Sequence, residues 1–408
     1  MANDRISRST HGREPLKPLD IKFNIKTSAK LNRALVLRLI KENPRISRSD
    51  LANLTGLTRA AITHILSELI DSGLVREVEL APASSSGGRR AILLELVPRR
   101  YCVMGISMEK KNCQIVITDL LGNVMEEGFF QYNKGYTPAR NLIAGVKEFI
   151  ADKAKLREIL TGIGIAAPGI VNPETNEVLY SHHFQWIHVN FADEVSSALG
   201  LPVYVENNAN AAAIAEFNHP DLKKYRSIVY ILMAEREAEQ DTFTGLGAGV
   251  ILNGEIYHGE HWSAGEMFQT VNAVLHSRFV EHPEYENVFP ERRGGRLLSK
   301  MLQKVRQNNP AALDLCAHMG REVGLIAAHI ADILDPGVIV IGGHPLAAND
   351  FFCSAAQASF KKHHSEFDGH VEFILGRCDD DIVARGAAHV VLNRIFIPIR
   401  RRSSLLFT

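Results

Sequence analysis

Arg59, Ala60, Thr63, His64 and Ser67 are cationic, small or hydrogen-bonding residues that fall on one side of a helical pattern, opposite the apolar stripe Ile62, Ile65, Leu66, Leu69 and Ile70. Near a helix N-terminus such groups can reach base edges in the major groove of DNA, and the positive end of the helix dipole favours phosphate. A second cluster lies at Pro82–Arg90, which reads PASSSGGRR. Arg89 and Arg90, on a Ser/Gly tip, can lay guanidinium groups on phosphates or into a narrow minor groove. Each cluster also has a plainer reading, as a solvated helix face and as a surface loop.

The flanking residues supply the elements that would position both clusters. Leu31, Ala34, Leu35, Leu39 and Ile40 recur at helical spacing from Lys30 until Asn43-Pro44 ends the pattern. Ser47 and Asp50 form a capping-box arrangement for a second short helix carrying Leu51 and Leu54, and Gly56 supplies the turn. Thr58 is the expected N-cap of the third helix, and Gly73 its stop. Leu74–Leu80 and Ala91–Val97 then alternate like the two strands of a hairpin. Three helices and a hairpin predict a winged helix-turn-helix over residues 29–97, binding a double-stranded DNA operator, after a polar basic arm at 1–28.

Charge agrees with that division. The chain has 408 residues, with 46 Lys and Arg balancing 46 Asp and Glu, yet residues 1–100 hold 18 of the bases and only 10 of the acids. A basic head on an acidic body suits contact with a polyanion. No apolar run approaches the ~18 residues of a membrane span, and Met1–Thr10 lacks the apolar core of a secretory signal, so a cytoplasmic protein without membrane contact is expected. Cys102, Cys113, Cys316, Cys353 and Cys378 are odd in number and contain no C-x-x-C pair. Reduced, mostly buried thiols follow, and no zinc site.

After Pro98, strand and helix signals alternate. Tyr101–Ser107, Cys113–Leu120 and Val124–Gln131 read as adjacent strands, and Leu142–Ala154 as an amphipathic helix. Ile163–Ala167 and Val203–Glu206 read as buried strands, with a helix over Ala209–Phe217. Ser227–Met233, Gly247–Leu252, a long helix at Ala311–Leu334 and a strand at Val338–Ile341 repeat the theme, which fits mixed sheets covered by helices in two linked lobes.

Six segments carry a resemblance: GIGIAAPGIVNPETNEV at Gly162–Val178, ENNANAAAIAE at Glu206–Glu216, TGLGAGVILNGEIYHG at Thr244–Gly259, AGE at Ala264–Glu266, DPGVIVIGG at Asp335–Gly343 and ARGAA at Ala384–Ala388. In this order they resemble the ROK family (repressors, open reading frames and kinases), built on the actin-like ATPase fold of sugar kinases. The resemblance implies a two-lobed α/β body over residues 98–408, and the winged head matches the repressor branch, which includes xylose and N-acetylglucosamine repressors.

The kinase pattern of that family is broken at separate places. Its D-x-G-G-T phosphate turn corresponds to Ser107 through Lys111, where Glu109, Lys110 and Lys111 replace small residues and Glu109 would repel phosphate. The Asp of its E-N-D-A-N motif, the base that accepts the sugar hydroxyl proton, is Asn208 here; an amide cannot serve. Its G-E-x-G-H histidine and cysteine zinc cluster are also missing: Gln269 stands at the histidine, and His276 and His282 have no thiolate partners. No catalytic residue, metal or cofactor is therefore expected.

Part of the polyol pocket implied by the resemblance persists. Asn207 and Glu266 match sugar-binding positions, Asn208 can keep a hydrogen bond, and His183 stands where the family has an asparagine. Trp186 reads equally as a stacking wall or as packing. Gly245, Gly247 and Gly249 suit a hairpin more than a retained phosphate turn. The expectation is a DNA-binding repressor of carbohydrate-use genes, a homodimer or homotetramer, controlled by a small carbohydrate effector at His183, Asn207, Asn208, Glu266 and Gln269. The alternative is a carbohydrate kinase with an appended head. The helix around Arg385–Arg394 and the tail after it are expected to contribute to the oligomer interface.

Overall fold

In the N-terminal head, helix α1 (Ile25–Glu42) begins ahead of the apolar stripe and inside the stretch expected to be an arm. Once Leu31–Ile40 is anchored, adding turns at its N-terminus costs little, since propagation needs no new nucleus. The structure is a computed structural model that describes residues 25–80, 91–109, 112–234, 245–267, 285, 288–289, 297–364, 371–377, 379 and 381–396.

A two-residue strand β1 (Ile46–Ser47) leads into α2 (Arg48–Thr55), whose Ser47 and Asp50 form the reciprocal capping box, and Gly56 closes it at φ 69°. Helix α3 (Arg59–Asp71) follows, N-capped by Thr58. Strands β2 (Val75–Leu80) and β3 (Ile92–Leu96) form the antiparallel hairpin. Its sheet has three strands in the order β1-β3-β2, because Ile46 and Ser47 pair with Leu94 and Leu93. Two residues are too few to show alternation in a sequence.

The body contains two five-stranded sheets of matching design. The first has the order β11-β7-β4-β5-β6, from β4 (Cys102–Met108), β5 (Asn112–Asp119), β6 (Val124–Gln131), β7 (Leu160–Ala167) and β11 (Val203–Asn207). Helices α4 (Pro138–Phe149) and α6 (Ala192–Leu199) contribute Leu142, Val146 and Val195 to the core on one face of this sheet. Helix α4 starts at the Thr137 cap and ends before the expected Ala154; a separate short helix, α5 (Ala154–Ile159), takes up the chain there. A small antiparallel sheet of β8 (Ile170–Asn172), β9 (Glu177–Ser181) and β10 (Trp186–Val189) sits beside this lobe.

The second sheet has the order β14-β13-β12-β15-β16, from β12 (Ile228–Ala234), β13 (Gly245–Leu252), β14 (Glu255–Ile256), β15 (Val338–Gly343) and β16 (Glu372–Leu375). One face packs against α8 (Leu297–Arg306), α9 (Pro310–Leu334) and α10 (Asp350–His363). Helices α7 (Asn208–Phe217) and α11 (Ile382–Phe396) lie between the two sheets and pack on each other. A Cβ at Gly386 would stand 1.8 Å from the Ala211 carbonyl oxygen, so glycine is what permits that contact. Helix α11 is thus an interior element. Its residues 382, 384, 386–392, 395 and 396 are buried, which corrects the expectation for most of the helix; the tail after it, 397–408, lies outside the described residues.

Candidate ligand cleft and nucleic-acid interface

On α3, Arg59, Ala60, Thr63, His64 and Ser67 are all exposed, while Ile62, Ile65, Leu66 and Leu69 are buried in the head. The Thr58 hydroxyl oxygen accepts from the Ala61 N–H at 3.2 Å, which fixes the start of the helix. Thr63 donates its hydroxyl to the Arg59 carbonyl at 2.8 Å and keeps acceptor capacity. The acidic groups of this helix sit in its second half. Glu68 pairs with Arg33 of α1 and lies 3.4 Å from His64, and Ser67 is 3.5 Å from Asp71. The first turn therefore offers one cation and small side chains, with no carboxylate. Arg89 and Arg90 lie outside the described residues.

Between the lobes is a cleft of about 1720 Å³, and His183, Asn207, Asn208 and Glu266 all line it. Gln269 lies outside the described residues, as do Lys110, Lys111, His276 and His282. The junction of β11 and α7 builds the centre of the cleft. Asn207 is the N-cap: its Oδ1 accepts from Ala209 N at 2.7 Å and Asn210 N at 3.1 Å. Its Nδ2 donates to Gly169 O at 2.7 Å and to Glu266 Oε1 at 3.3 Å. Both donors and both acceptor positions of the amide are thereby used, so Asn207 positions Glu266 across the lobes more than it offers groups of its own. Asn208 has its Oδ1 on Ala209 N at 3.0 Å.

Two residues behind this row went unrecognised in the sequence. Glu206 is 3% exposed, and its Oε1 accepts from Asn207 N at 2.8 Å and Asn210 Nδ2 at 3.0 Å. Its Oε2 meets His258 Nε2 at 2.9 Å, a contact from the second lobe back to the first. The spacing of Glu206, Asn207 and Asn210 was the available signal; His258, 52 residues away, gave none.

Ser107 and Met108, the last two residues of β4, line the cleft, with Glu109 just beyond them on the same lining. Position 208, on the same lining, is an asparagine. His183 lies edge-on to Phe184 at 4.9 Å. Trp186 stacks on Phe184 at 4.3 Å and packs, half-buried, with the core of the first lobe. Among the described residues no group of three or more His, Cys, Asp or Glu could hold a metal ion, and no helix is long and apolar enough to cross a membrane. Cys102, Cys113 and Cys316 are buried free thiols, each pushed up to about 12 by burial.

The profile of the ROK family matches residues 103–270 and 291–394, and that of a winged helix-turn-helix DNA-binding unit matches residues 32–76. The chain belongs to the ROK family. It is 24% identical over 348 residues to a xylose repressor of Caldicellulosiruptor bescii, covering 76% of this chain and 82% of that one. It is 24% identical over 365 residues to the DNA-binding transcriptional dual regulator NagC of Escherichia coli, covering 82% and 86%. A crystal structure of a ROK family transcriptional regulator, a homologue of the E. coli MLC protein, shares the fold with a TM-score of 0.72 at 23% identity, over 89% of this chain and 96% of that one.

In this ROK chain the head is joined to the body through a continuous apolar core. Val36, Leu37 and Ile40 of α1 share one cluster with Leu392, Ile395 and Phe396 of α11 and with Val103 and Leu120 of the first lobe. The other end of the same helix reaches the cleft, where Ile382, Val383 and Arg385 line it. Two nitrogen bases are caught at the seam. Lys41 is drawn down to about 8, chiefly by burial and next by Lys223, and its Nζ lies 4.3 Å from the centre of the Phe396 ring. His389 is held neutral: burial, then Lys41 and Lys223, push it down to about 3, and its Nδ1 has no hydrogen-bond partner.

Proposed function

We propose that this chain is a DNA-binding transcriptional regulator acting in the cytoplasm, a repressor of carbohydrate-use genes whose operator affinity is set by a saccharide held between the lobes. The observation that carries the reading is the course of α11, which lines the cleft with Ile382, Val383 and Arg385 and shares a core with the DNA-binding head through Leu392, Ile395 and Phe396. A ligand that closes the lobes on Asn208, Glu266 and His183 favours one setting of α11 and shifts the population of head orientations. Operator affinity then falls. Two heads acting on one palindrome multiply weak half-site affinities, so the working form is a homodimer or a dimer of dimers. Base contacts come from Arg59, Ala60, Thr63, His64 and Ser67, and phosphate contacts from Arg89 and Arg90.

The body lacks kinase activity in this reading, because Ser107, Glu109 and Asn208 replace the phosphate turn and the base. The experiment selects duplexes from a random pool with the full chain and then measures binding of the winning duplex with and without saccharides. Sequence-selective binding weakened by a saccharide supports the reading; failure to enrich any duplex overturns it. ATP consumption with a panel of monosaccharides tests the kinase alternative, and turnover abolished by changing Asn208 would establish it.

A further inference from the structure

The cleft is far larger than one sugar ring needs. Ligand pockets for small molecules run to about 300–1,000 Å³, whereas this one spans about 1720 Å³. Its floor in the first lobe follows from strand register. Glu206 pairs with Ala166, Ala166 with Ser107, Ser107 with Gln114, and Gln114 with Phe129, so these five residues form one row across all five strands. Directly paired residues share a face of the sheet, and Ser107, Gln114 and Phe129 all line the cleft. From β11 to β6 the row crosses four strand spacings of about 4.8 Å, or about 19 Å. The part of the row open to the cleft, Ser107 to Gln114 to Phe129, covers two of those spacings, about 10 Å.

The chemistry of that row is that of a saccharide track. A hydroxyl and an amide can pair with ring hydroxyls, and an aromatic face covers the apolar side of a pyranose. Phe129 is 69% exposed and Tyr180, on β9 and also lining the cleft, is 46% exposed, although both are large apolar residues. Both rings face the cleft with much of their surface uncovered. Charge argues against phosphate: among the described lining residues five carboxylates, including Asp379 and Asp381, stand against the guanidinium groups of Arg306 and Arg385, and Arg385 is already bonded to Asp381. We infer that the ligand is an unphosphorylated linear oligosaccharide, whose first ring lies at Asn208 and Glu266 and whose later rings run along Ser107 and Gln114 to stack on Phe129. Ser107, where the family's phosphate turn begins with Asp, would then serve a sugar subsite. This rests on the regulator reading above for its biological meaning, but its test does not.

Calorimetric titration of the full chain with xylose, glucose and N-acetylglucosamine, and with the β-1,4-linked dimer, trimer and tetramer of each, decides the matter. In one series affinity rises at least about tenfold from the monosaccharide to the longest oligomer, the gain expected of one added aromatic contact. Phe129→Ala removes that gain and leaves monosaccharide affinity and melting temperature unchanged, as befits an exposed side chain. Equal affinity of monomer and oligomers, no binding in any series, a gain that survives Phe129→Ala, or tighter binding of glucose 6-phosphate than of glucose would each overturn the inference. An oligosaccharide that binds through Phe129 without altering operator affinity would leave the inference standing and defeat the regulator reading. A monosaccharide that alone releases DNA would do the reverse.

Discussion

The head-to-body seam and the lobe-to-lobe cleft are both junctions within one chain, yet they are made of different materials. At the seam Val36, Leu37 and Ile40 interdigitate with Leu392, Ile395 and Phe396, all essentially buried. At the cleft centre the lobes meet through hydrogen bonds, Asn207 to Glu266 at 3.3 Å and Glu206 to His258 at 2.9 Å, beside open space. Close-packed apolar contacts resist small displacements, whereas hydrogen bonds at a wet cleft exchange with water or ligand at little net cost. The proposed mechanism accordingly assigns movement to the cleft and transmission to the seam. Helix α11 takes part in both.

The contrast can be broken at either junction. Leu392→Ala leaves a cavity at the seam and should cost about 2–5 kcal/mol in urea denaturation, while also weakening the effect of ligand on operator binding; an unchanged midpoint would mean the seam is not close-packed. Replacing Arg89 and Arg90 with Ala tests the head apart from both junctions. Operator affinity should fall by about 1–3 kcal/mol, with the slope against log salt reduced by about 2, and saccharide binding should not change. Asn207→Ala removes an N-cap and a tie between lobes, for about 1–2 kcal/mol of stability. Its larger consequence should be weaker saccharide binding, because Glu266 loses its fixed position; calorimetry reads both.

The smallest effect sharpens the picture of the seam. Lys41 titrates near 8 when folded against 10.5 for the free side chain, so raising pH through that window deprotonates the folded state first and stability rises; below pH 8 both states are protonated and the cost is constant. Lys41→Met should therefore be the more stable protein at pH 7, by about 1–2 kcal/mol after allowance for the partial exposure of Lys41. The gap should close between pH 8 and 10.5. A gap that does not change with pH would mean that Lys41 is solvated.

The head was legible because its signals are local. Ser47, Asp50, Gly56 and Thr58 act within a few residues of themselves, and the α3 stripe is long enough to show its period. The body's strands were legible as apolar runs; the turn between two of them is held by Asp119, whose Oδ1 accepts from Leu121 N and Asn123 N. What the sequence hid was long-range. That α11 is buried along most of its length depends on two sheets and α7, and its small residues, Ala384, Gly386, Ala387 and Ala388, have no amphipathic stripe to announce a partner. Asn207 could be placed at the site by resemblance, but that its amide is fully spent on Ala209, Asn210, Gly169 and Glu266 is a matter of geometry. The row ending at Phe129 needed strand register, which no single sequence displays.

The central claim is that the cleft and the head are energetically coupled. Fluorescence anisotropy of a selected operator duplex, titrated with the full chain in the absence and presence of a saturating concentration of the tightest-binding oligosaccharide, measures that coupling directly. Operator Kd should weaken by about 5–150-fold, with saccharide affinity reduced by the same factor when DNA is bound. Superimposable operator curves, with calorimetry showing the cleft filled, would contradict the account.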